Sequence, residues 1–396
     1  MHRPKTIAWV VKGDEGYGVR AAVLNLAKGV RNAGVRTVFA SLEPGTFAEE
    51  LKGLGYEVAV AACGAPETLQ PGIAGRVRVT LANAAAAPRR GQAVATALRQ
   101  FGPDVVDVVW PNLVSIAGRA AWMLRVPCMW EMPNIISTSL PFGLNSRLYR
   151  NVCKRWGVTV LANSDYTGRT YGTGADTPIT FYPTTDSDRF DPAKVLGRTR
   201  DSVGIAADAV VFTIVARISD SKGQLRFFDG MLRAQDAGGP PLHLLLLGGP
   251  TDASEAAAMR TLAKAKQRED RLHFAGVVKD AETYYPMTDV GVNSRVDPEP
   301  FGLSVIESML MGRPVLAHAL GGPAETVLDG TTGWLCQGAT PAEWEAALRR
   351  VLADQGRWPD MGQAAREHAL RHFSIESAAS KYLEIAERAM SARRSR

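Results

Sequence analysis

The chain has 396 residues, 46% hydrophobic and 22% charged, which are ordinary globular proportions with enough length for two domains. No run of about 18 uncharged apolar residues occurs, and the first apolar run is cut short by Lys12 and Asp14. Neither a membrane-spanning helix nor a secretory leader is readable, so a cytoplasmic protein is expected, at most peripheral at the inner face of a membrane. The net charge of +6 is spread through both halves, without zinc-finger spacing, an RNP-like aromatic run or a basic arm, and so excludes the familiar nucleic-acid modules.

Apolar runs of strand length recur along the first half: IAWVV, TVFAS, YEVAVAA, DVVDVVW, VPCMW, VTVLANS and ITFYP. Between the first two, Val19, Val23, Leu26, Ala27 and Val30 fall at helical spacing and bury one stripe. After residue 185 the rhythm restarts with VVFTIVAR, HLLLLGG, LHFAGVV, DVGVNS, PVLAHA and GWLCQ. Buried strands alternating with helices predict mainly parallel sheets covered on both faces. The expected fold class is α/β, with two doubly wound, Rossmann-like domains facing a central cleft. The polar stretch PTTDSDRFDPAKVLGRTRDSVGI separates them. The expected boundaries are 1–185 for the first domain, 186–205 for a linker, 206–372 for the second domain, and 373–396 for a closing helix that crosses back onto the first.

In doubly wound sheets, ligands bind beyond the carboxyl ends of the strands. GDEGYGVR, ARISDSKGQ, GGP, NSRVDPEPFGL and HALGGPAE all follow predicted strands. Arg217 and Lys222 bring two cations to one strand-to-helix turn, as a diphosphate requires, although alone they read equally as a solvated loop. Glu299 and Glu307 stand eight residues apart across Pro300 and Gly302, which make an unbroken helix unlikely. The spacing predicts a loop carrying Glu299, a turn at Phe301, Gly302 and Leu303, and a helix that carries Glu307 one to two turns in. Glu307 is either a surface carboxylate favoured by the helix dipole or an acceptor for a ribose diol. Glu299 is either exposed or a ligand for sugar hydroxyls. Gly321 and Gly322 serve a tight turn or a close approach of ligand to backbone.

GDEGYGVR fits neither the dinucleotide fingerprint nor the P-loop, which sets aside dehydrogenase and nucleotide triphosphatase readings. Asp186-Ser187-Asp188 has a D-x-D spacing but sits in the linker and reads as turn chemistry. No His, Cys, Asp and Glu set has convincing metal-ligand spacing. Cys63, Cys128, Cys153 and Cys336 form no C-x-x-C pair and read as free thiols, mostly buried.

Together these motifs resemble the retaining glycosyltransferases of family 4, which have the GT-B fold. The resemblance rests on Arg217 with Lys222-Gly223, LLLLGGP, RLHFAGVV, EPFGLSVIE, GRPVLAHALGGPAETVLDGTTGWL and HFSIESAASKYLEIAERA, and extends to LNLAKGVRNAG and LANSDYTGRTY. It implies sugar transfer from a nucleoside-diphosphate sugar, such as a UDP- or GDP-sugar, to a hydroxyl acceptor in glycan, glycolipid or metabolite synthesis. It also implies retention of configuration and no metal or other cofactor. Arg217 and Lys222 would hold the diphosphate. Glu307 would hold the ribose, and Glu299 with the amides of Phe301, Gly302 and Leu303 would hold the donor sugar. Gly18 and Gly248 would also line the donor site.

Two positions depart from that family. The Gly-Gly pair usual after the first strand is Tyr17-Gly18 here, and the usual histidine after VPCMW is replaced by Glu131-Met132-Pro133. Tyr17 and Glu131 are therefore the acceptor-side candidates, with Glu131 orienting or deprotonating an acceptor, or else capping or simply exposed. Two rivals keep the fold without the transfer: a nucleotide-sugar epimerase or hydrolase, and a non-catalytic nucleotide-sugar-binding protein. Finally, PFGLNSRLYRNVCKRWG spaces Leu144, Leu148, Val152 and Trp156 four apart among basic residues. That pattern suits a face lying on an anionic bilayer or, more commonly, a helix packed on its sheet with snorkelling cations.

Overall fold

A strand with apolar residues on both faces needs cover on both, and β1 (Thr6–Val11), reading TIAWVV, is buried throughout. The structure, a computed structural model, describes residues 3–67, 73–136, 144–236 and 238–394. The chain divides into two compact units, Met1–Thr184 with Ile375–Arg396, and Thr185–Ser374.

In the first unit, β1 is joined by β2 (Arg36–Ser41), β3 (Glu57–Val60), β4 (Val105–Val108), β5 (Cys128–Met132), β6 (Val158–Ala162) and β7 (Ile179–Thr180). All pair in parallel, in the order β3-β2-β1-β4-β5-β6-β7. The order reverses between β1 and β4, so the loops leaving these strands diverge and open a crevice at the sheet's carboxyl edge. The helices of this unit are α1 (Tyr17–Asn32), α2 (Thr46–Gly53), α3 (Ile73–Arg99), α4 (Val114–Leu124), α5 (Leu144–Trp156) and α6 (Asp165–Tyr171). Residues of α3 to α6 share one apolar cluster with Ala8, Val10, Val106 and Trp130. Residues of α1 and α2 share another, on the opposite face, with Ile7, Trp9 and Phe39.

The second unit contains β8 (Val210–Val215), α7 (Gln224–Asp236), β9 (Leu242–Leu247), α8 (Ser254–Ala265), β10 (Leu272–Gly276), β11 (Val290–Asn293), α9 (Leu303–Leu310), β12 (Val315–His318), α10 (Pro323–Thr326), β13 (Gly333–Cys336), α11 (Pro341–Ala353) and α12 (Trp358–Phe373). Its sheet is again parallel, in the order β10-β9-β8-β11-β12-β13, with the reversal between β8 and β11. The last helix, α13 (Ile375–Arg394), belongs to the first unit, where Tyr382 stacks on Trp9 at 5.9 Å between ring centroids.

Two expectations need correction. The stretch 186–205 is not a free linker, because it is strapped onto the second unit by ion pairs. Arg189 meets Glu282 at 2.7 Å, Arg198 meets Asp280 at 2.9 Å, Arg200 meets Asp289 at 2.8 Å, and Asp191 meets Arg366 at 2.9 Å. Its polarity reflects these partners rather than solvent. Within it, Asp186 Oδ1 accepts from the amides of Asp188 and Arg189, a turn of the kind expected for this D-x-D. The α5 stripe also divides. Val152 packs on the core and Trp156 sits edge-on to Trp122, whereas Leu144 and Leu148 are about half exposed. Among the described residues no helix is long and apolar enough to cross a membrane.

Candidate active site

The loop that leaves β8 ends in a 3₁₀ turn at Asp220–Lys222, followed by Gly223 at φ +69. A Cβ on Gly223 would lie 2.2 Å from the carbonyl oxygen of Ser294, so only glycine lets this loop touch the loop leaving β11. The contact is stitched on either side. Ser294 Oγ donates to the Lys222 carbonyl at 2.7 Å, and the Val296 amide donates to the Ser221 carbonyl at 3.0 Å.

The stitching brings Lys222 Nζ to Glu299 Oε2 at 2.9 Å. Arg295 Nη1 donates to Glu299 Oε1 at 3.2 Å and its guanidinium also pairs with Asp297. Glu299 is thus held between two cations, with its side chain 13% exposed and that of Lys222 20% exposed. The backbone fixes it as well: the Glu299 carbonyl accepts from the Gly322 amide at 2.8 Å. Gly321 has φ +86, and a Cβ there would come within 2.1 Å of the Glu299 carbonyl oxygen. The Gly-Gly pair therefore allows the loop after β12 to lie flat against Glu299.

Beyond Glu299, Phe301 is buried edge-on against Phe373 and Gly302 caps α9. Leu303 opens α9, in the first turn, where amides have no intrahelical acceptor and the dipole favours an anion. Glu307 is the fifth residue of α9 and only partly exposed. Burial pushes its carboxyl up to about 7, with the Glu282 charge adding to the effect and Arg189 and the Tyr285 hydroxyl opposing it. Arg217 is exposed, its carbonyl held by Gln224 Nε2 at 2.7 Å, and its guanidinium has no partner among the described residues. The Gly248 amide is already committed to the Gly276 carbonyl at 2.7 Å, so this residue brings β9 against the neighbouring loop rather than offering its N–H to a ligand.

In the first unit, Gly18 lies in the first turn of α1, and a Cβ there would meet nothing within 4 Å. The side chain of Tyr17 lies outside the described residues. Glu131 neither caps a helix nor stands exposed. It lies near the end of β5, where Trp9 Nε1 donates to its Oε1 at 3.4 Å and it is hydrogen-bonded to Asp107 of β4. Asp107 is fully buried, and its Oδ2 accepts from the Tyr382 hydroxyl at 2.6 Å. Its Oδ1 finds no N–H or O–H donor among the described residues. Two adjacent buried carboxyls cannot both ionise, so one proton is held between Asp107 and Glu131, and the carboxyl raised further, Asp107, donates it to Glu131. Burial raises Glu131 to about 7, and burial together with the Glu131 charge raises Asp107 well above the usual carboxylate range.

Sequence reasoning missed three members of these clusters. Arg295 stood in view four residues before Glu299 but reads as an ordinary loop cation. Asp107 and Tyr382 are 275 residues apart, so no local pattern joins them. A further cluster follows β1 and β4, where Lys12 Nζ lies 3.8 Å from the Trp110 ring centroid and Trp110 Nε1 donates to Glu15. Chemically, the second unit offers cations and a helix start that suit an anion, beside carboxylates that suit hydroxyl groups.

Residues 17–173 match the family described as glycosyl transferase 4-like domain, and residues 197–368 match glycosyl transferases group 1. The D-inositol 3-phosphate glycosyltransferase of Corynebacterium kroppenstedtii is 26% identical over 390 residues, covering 86% of this chain and 83% of that protein. Among solved structures, a Rickettsia africae glycosyltransferase superposes with a TM-score of 0.81 at 17% identity, covering 98% of this chain and 99% of its own. HepE from Anabaena in complex with UDP superposes with a TM-score of 0.77 at 21% identity, covering 97% and 100%.

Proposed function

This chain belongs to glycosyltransferase family 4, with the GT-B fold, and from that premise we propose that it transfers a sugar from a nucleoside-diphosphate donor to a hydroxyl acceptor, with retention and without a metal. The observation that carries this reading is the Lys222–Glu299–Arg295 cluster beside the start of α9. Arg217 and Lys222 meet the diphosphate, whose charge grows as the sugar–oxygen bond breaks, so their stabilisation is greatest in the transition state. Glu307 accepts hydrogen bonds from the ribose diol. Glu299, with its backbone pinned by Gly322, binds donor-sugar hydroxyls and orients the ring. The acceptor hydroxyl attacks the anomeric carbon from the face the diphosphate leaves, and its proton passes to the departing phosphate oxygen. The new glycosidic bond thus replaces the broken one with the same configuration.

The UDP carried by HepE and the inositol phosphate named for the Corynebacterium relative support a nucleotide-linked donor and a hydroxyl acceptor. The test begins with UDP-, GDP- and ADP-sugars in a thermal-shift panel, because a ligand that binds only the folded state raises its stability. NMR of the anomeric proton then follows the reaction with the stabilising donor and a panel of polyol and glycoside acceptors, with and without EDTA. An α-linked donor should give an α-linked product, undiminished by EDTA. A β-linked product, a requirement for added Mn²⁺ or Mg²⁺, or epimerisation of the donor without an acceptor would overturn the proposal.

A further inference from the structure

The helices α3, α4 and α5 cover one face of the first unit's sheet and pack through a shared cluster that includes Val94, Ala117 and Cys153. Together they carry ten arginines and lysines and not one aspartate or glutamate. The layer on the opposite face, α1, α2 and α13, carries eight basic residues against five acidic ones. The excess is therefore a property of one face rather than of the composition. Some of it is neutralised from outside the three helices: Glu67 pairs with Arg78, and Asp176 pairs with Arg150 and Lys154. Arg89, Arg99, Arg147 and Arg155 are exposed and have no acidic partner among the described residues.

The same helices expose large apolar side chains. Leu81 is 65% exposed, Trp122 53%, Leu144 46% and Leu148 50%. On α5, Leu144, Leu148, Asn151 and Arg155 follow one another at helical spacing, and all four are exposed. Half of the expected inward stripe therefore faces outward, next to Arg147 and Arg155. Trp122 reaches the surface beside Trp156, and the Arg155 guanidinium lies 5.1 Å from the Trp156 ring centroid.

We propose that this α3–α4–α5 face docks the protein on an anionic lipid bilayer. The arginines would lie among the headgroup phosphates, Trp122 at the interface, and Leu144 and Leu148 at the acyl boundary. Charge complementarity favours an anionic partner and disfavours a second copy of the same face. The exposed aliphatic side chains favour a bilayer over a nucleic acid, whose phosphate backbone gives leucine nothing to bury against.

Sedimentation of the full chain with vesicles tests this directly and requires no turnover, so its outcome is separate from that of the transfer reaction. Vesicles containing phosphatidylglycerol should bind the protein at about 50 mM salt, and pure phosphatidylcholine vesicles should not; about 0.5 M salt should release it. Arg147→Glu with Arg155→Glu should weaken binding at least about tenfold. Leu144→Ser with Leu148→Ser should weaken it several-fold, because buried methylenes are lost while the charge is kept. Arg388→Glu with Arg394→Glu makes the same charge change on α13 of the opposite layer and should alter binding less than about twofold. All six positions are exposed, and unchanged thermal unfolding and nucleoside-diphosphate binding would report that each variant is folded. The proposal is overturned by equal binding to neutral vesicles, by no binding to anionic ones, or by an equal loss in the α13 pair. Binding of duplex DNA as tight as binding of vesicles would overturn it too.

Discussion

Glu299 and Glu131 both lie near the carboxyl ends of strands in parallel sheets, Glu299 in the loop after β11 at the reversal of strand order and Glu131 on β5, one strand beyond it, yet their surroundings are opposite. Glu299 stands between Lys222 and Arg295. Glu131 stands beside a second carboxyl, Asp107, which is itself capped by the Tyr382 hydroxyl. The first environment sets one carboxylate between two cations and holds all three in position. The second favours a retained proton. The contrast shows that the fold supplies only the location and the neighbouring side chains decide the chemistry.

The largest effect should come from removing a cation of the first cluster. Lys222→Ala is expected to lower transfer by at least about a hundredfold, the scale of losing charge stabilisation in a water-poor site. Near-normal turnover by a folded variant would remove the functional half of the contrast.

The proton shared by Asp107 and Glu131 comes next and reads out as stability. Both groups are raised in the folded state, so between the ordinary carboxylate range and about pH 7 the folded chain binds more protons than the unfolded one. Stability should therefore fall as pH rises through that window, by about 1–3 kcal/mol. Asp107→Asn supplies a fixed N–H to Glu131 and keeps an oxygen for Tyr382, and it should flatten this dependence. Urea unfolding at pH 5.5 and pH 8 checks it, and a variant as pH-sensitive as the parent would place the proton elsewhere.

Glu307 sharpens the comparison, since it is raised by burial without a carboxyl in hydrogen-bond contact. Its ionised form is the better acceptor for a diol, so donor affinity should increase as pH rises through about 7, by up to about tenfold between pH 6 and pH 8. A nucleotide sugar is the right ligand, because its diphosphate does not titrate in that range. Glu307→Gln should abolish the slope and weaken binding by about 1–3 kcal/mol at pH 8. Calorimetry that returns an unchanged slope would assign the titration to another group.

The smallest effect concerns Glu299 itself. Glu299→Gln should leave free nucleoside-diphosphate affinity unchanged or tighten it about two- to threefold, because Lys222 and Arg295 lose a competing carboxylate. Turnover should fall instead, the mark of a contact used while the sugar departs. If this variant binds free diphosphate as poorly as Glu307→Gln, the two glutamates do not divide the donor between them.

Much of this was legible in the sequence because parallel strands are nearly continuous apolar runs, as in TIAWVV and LHLLLL, each with a single polar residue, and their exits carry the unusual residues. Pro300 and Gly302 were enough to separate Glu299 from the helix bearing Glu307, and α9 does open at Leu303. The rest depends on distant partners. Arg198 and Arg200 look like linker residues until Asp280 and Asp289, more than 80 positions later, are placed beside them. Helical spacing marked Leu144, Leu148, Val152 and Trp156 as one stripe, but only the neighbours of α5 decide where along it the packing stops. Glu131 gave no sign of the proton it shares with Asp107, because Asp107 lies on a different strand and Tyr382 on the last helix.

The course of the chain also has a consequence for synthesis. Residues 185–374 contain every strand of their own sheet, so this unit can close as soon as its segment has emerged. The first unit cannot, although it begins first. Its sheet leaves Trp9 and Phe181 without the ring of Tyr382 until α13 is made, and those contacts lie at 5.9 and 5.8 Å between centroids. On the ribosome the first strand of this sheet is therefore among the last to be covered, and a chain stopped at Ser374 presents a bare apolar face to other nascent chains.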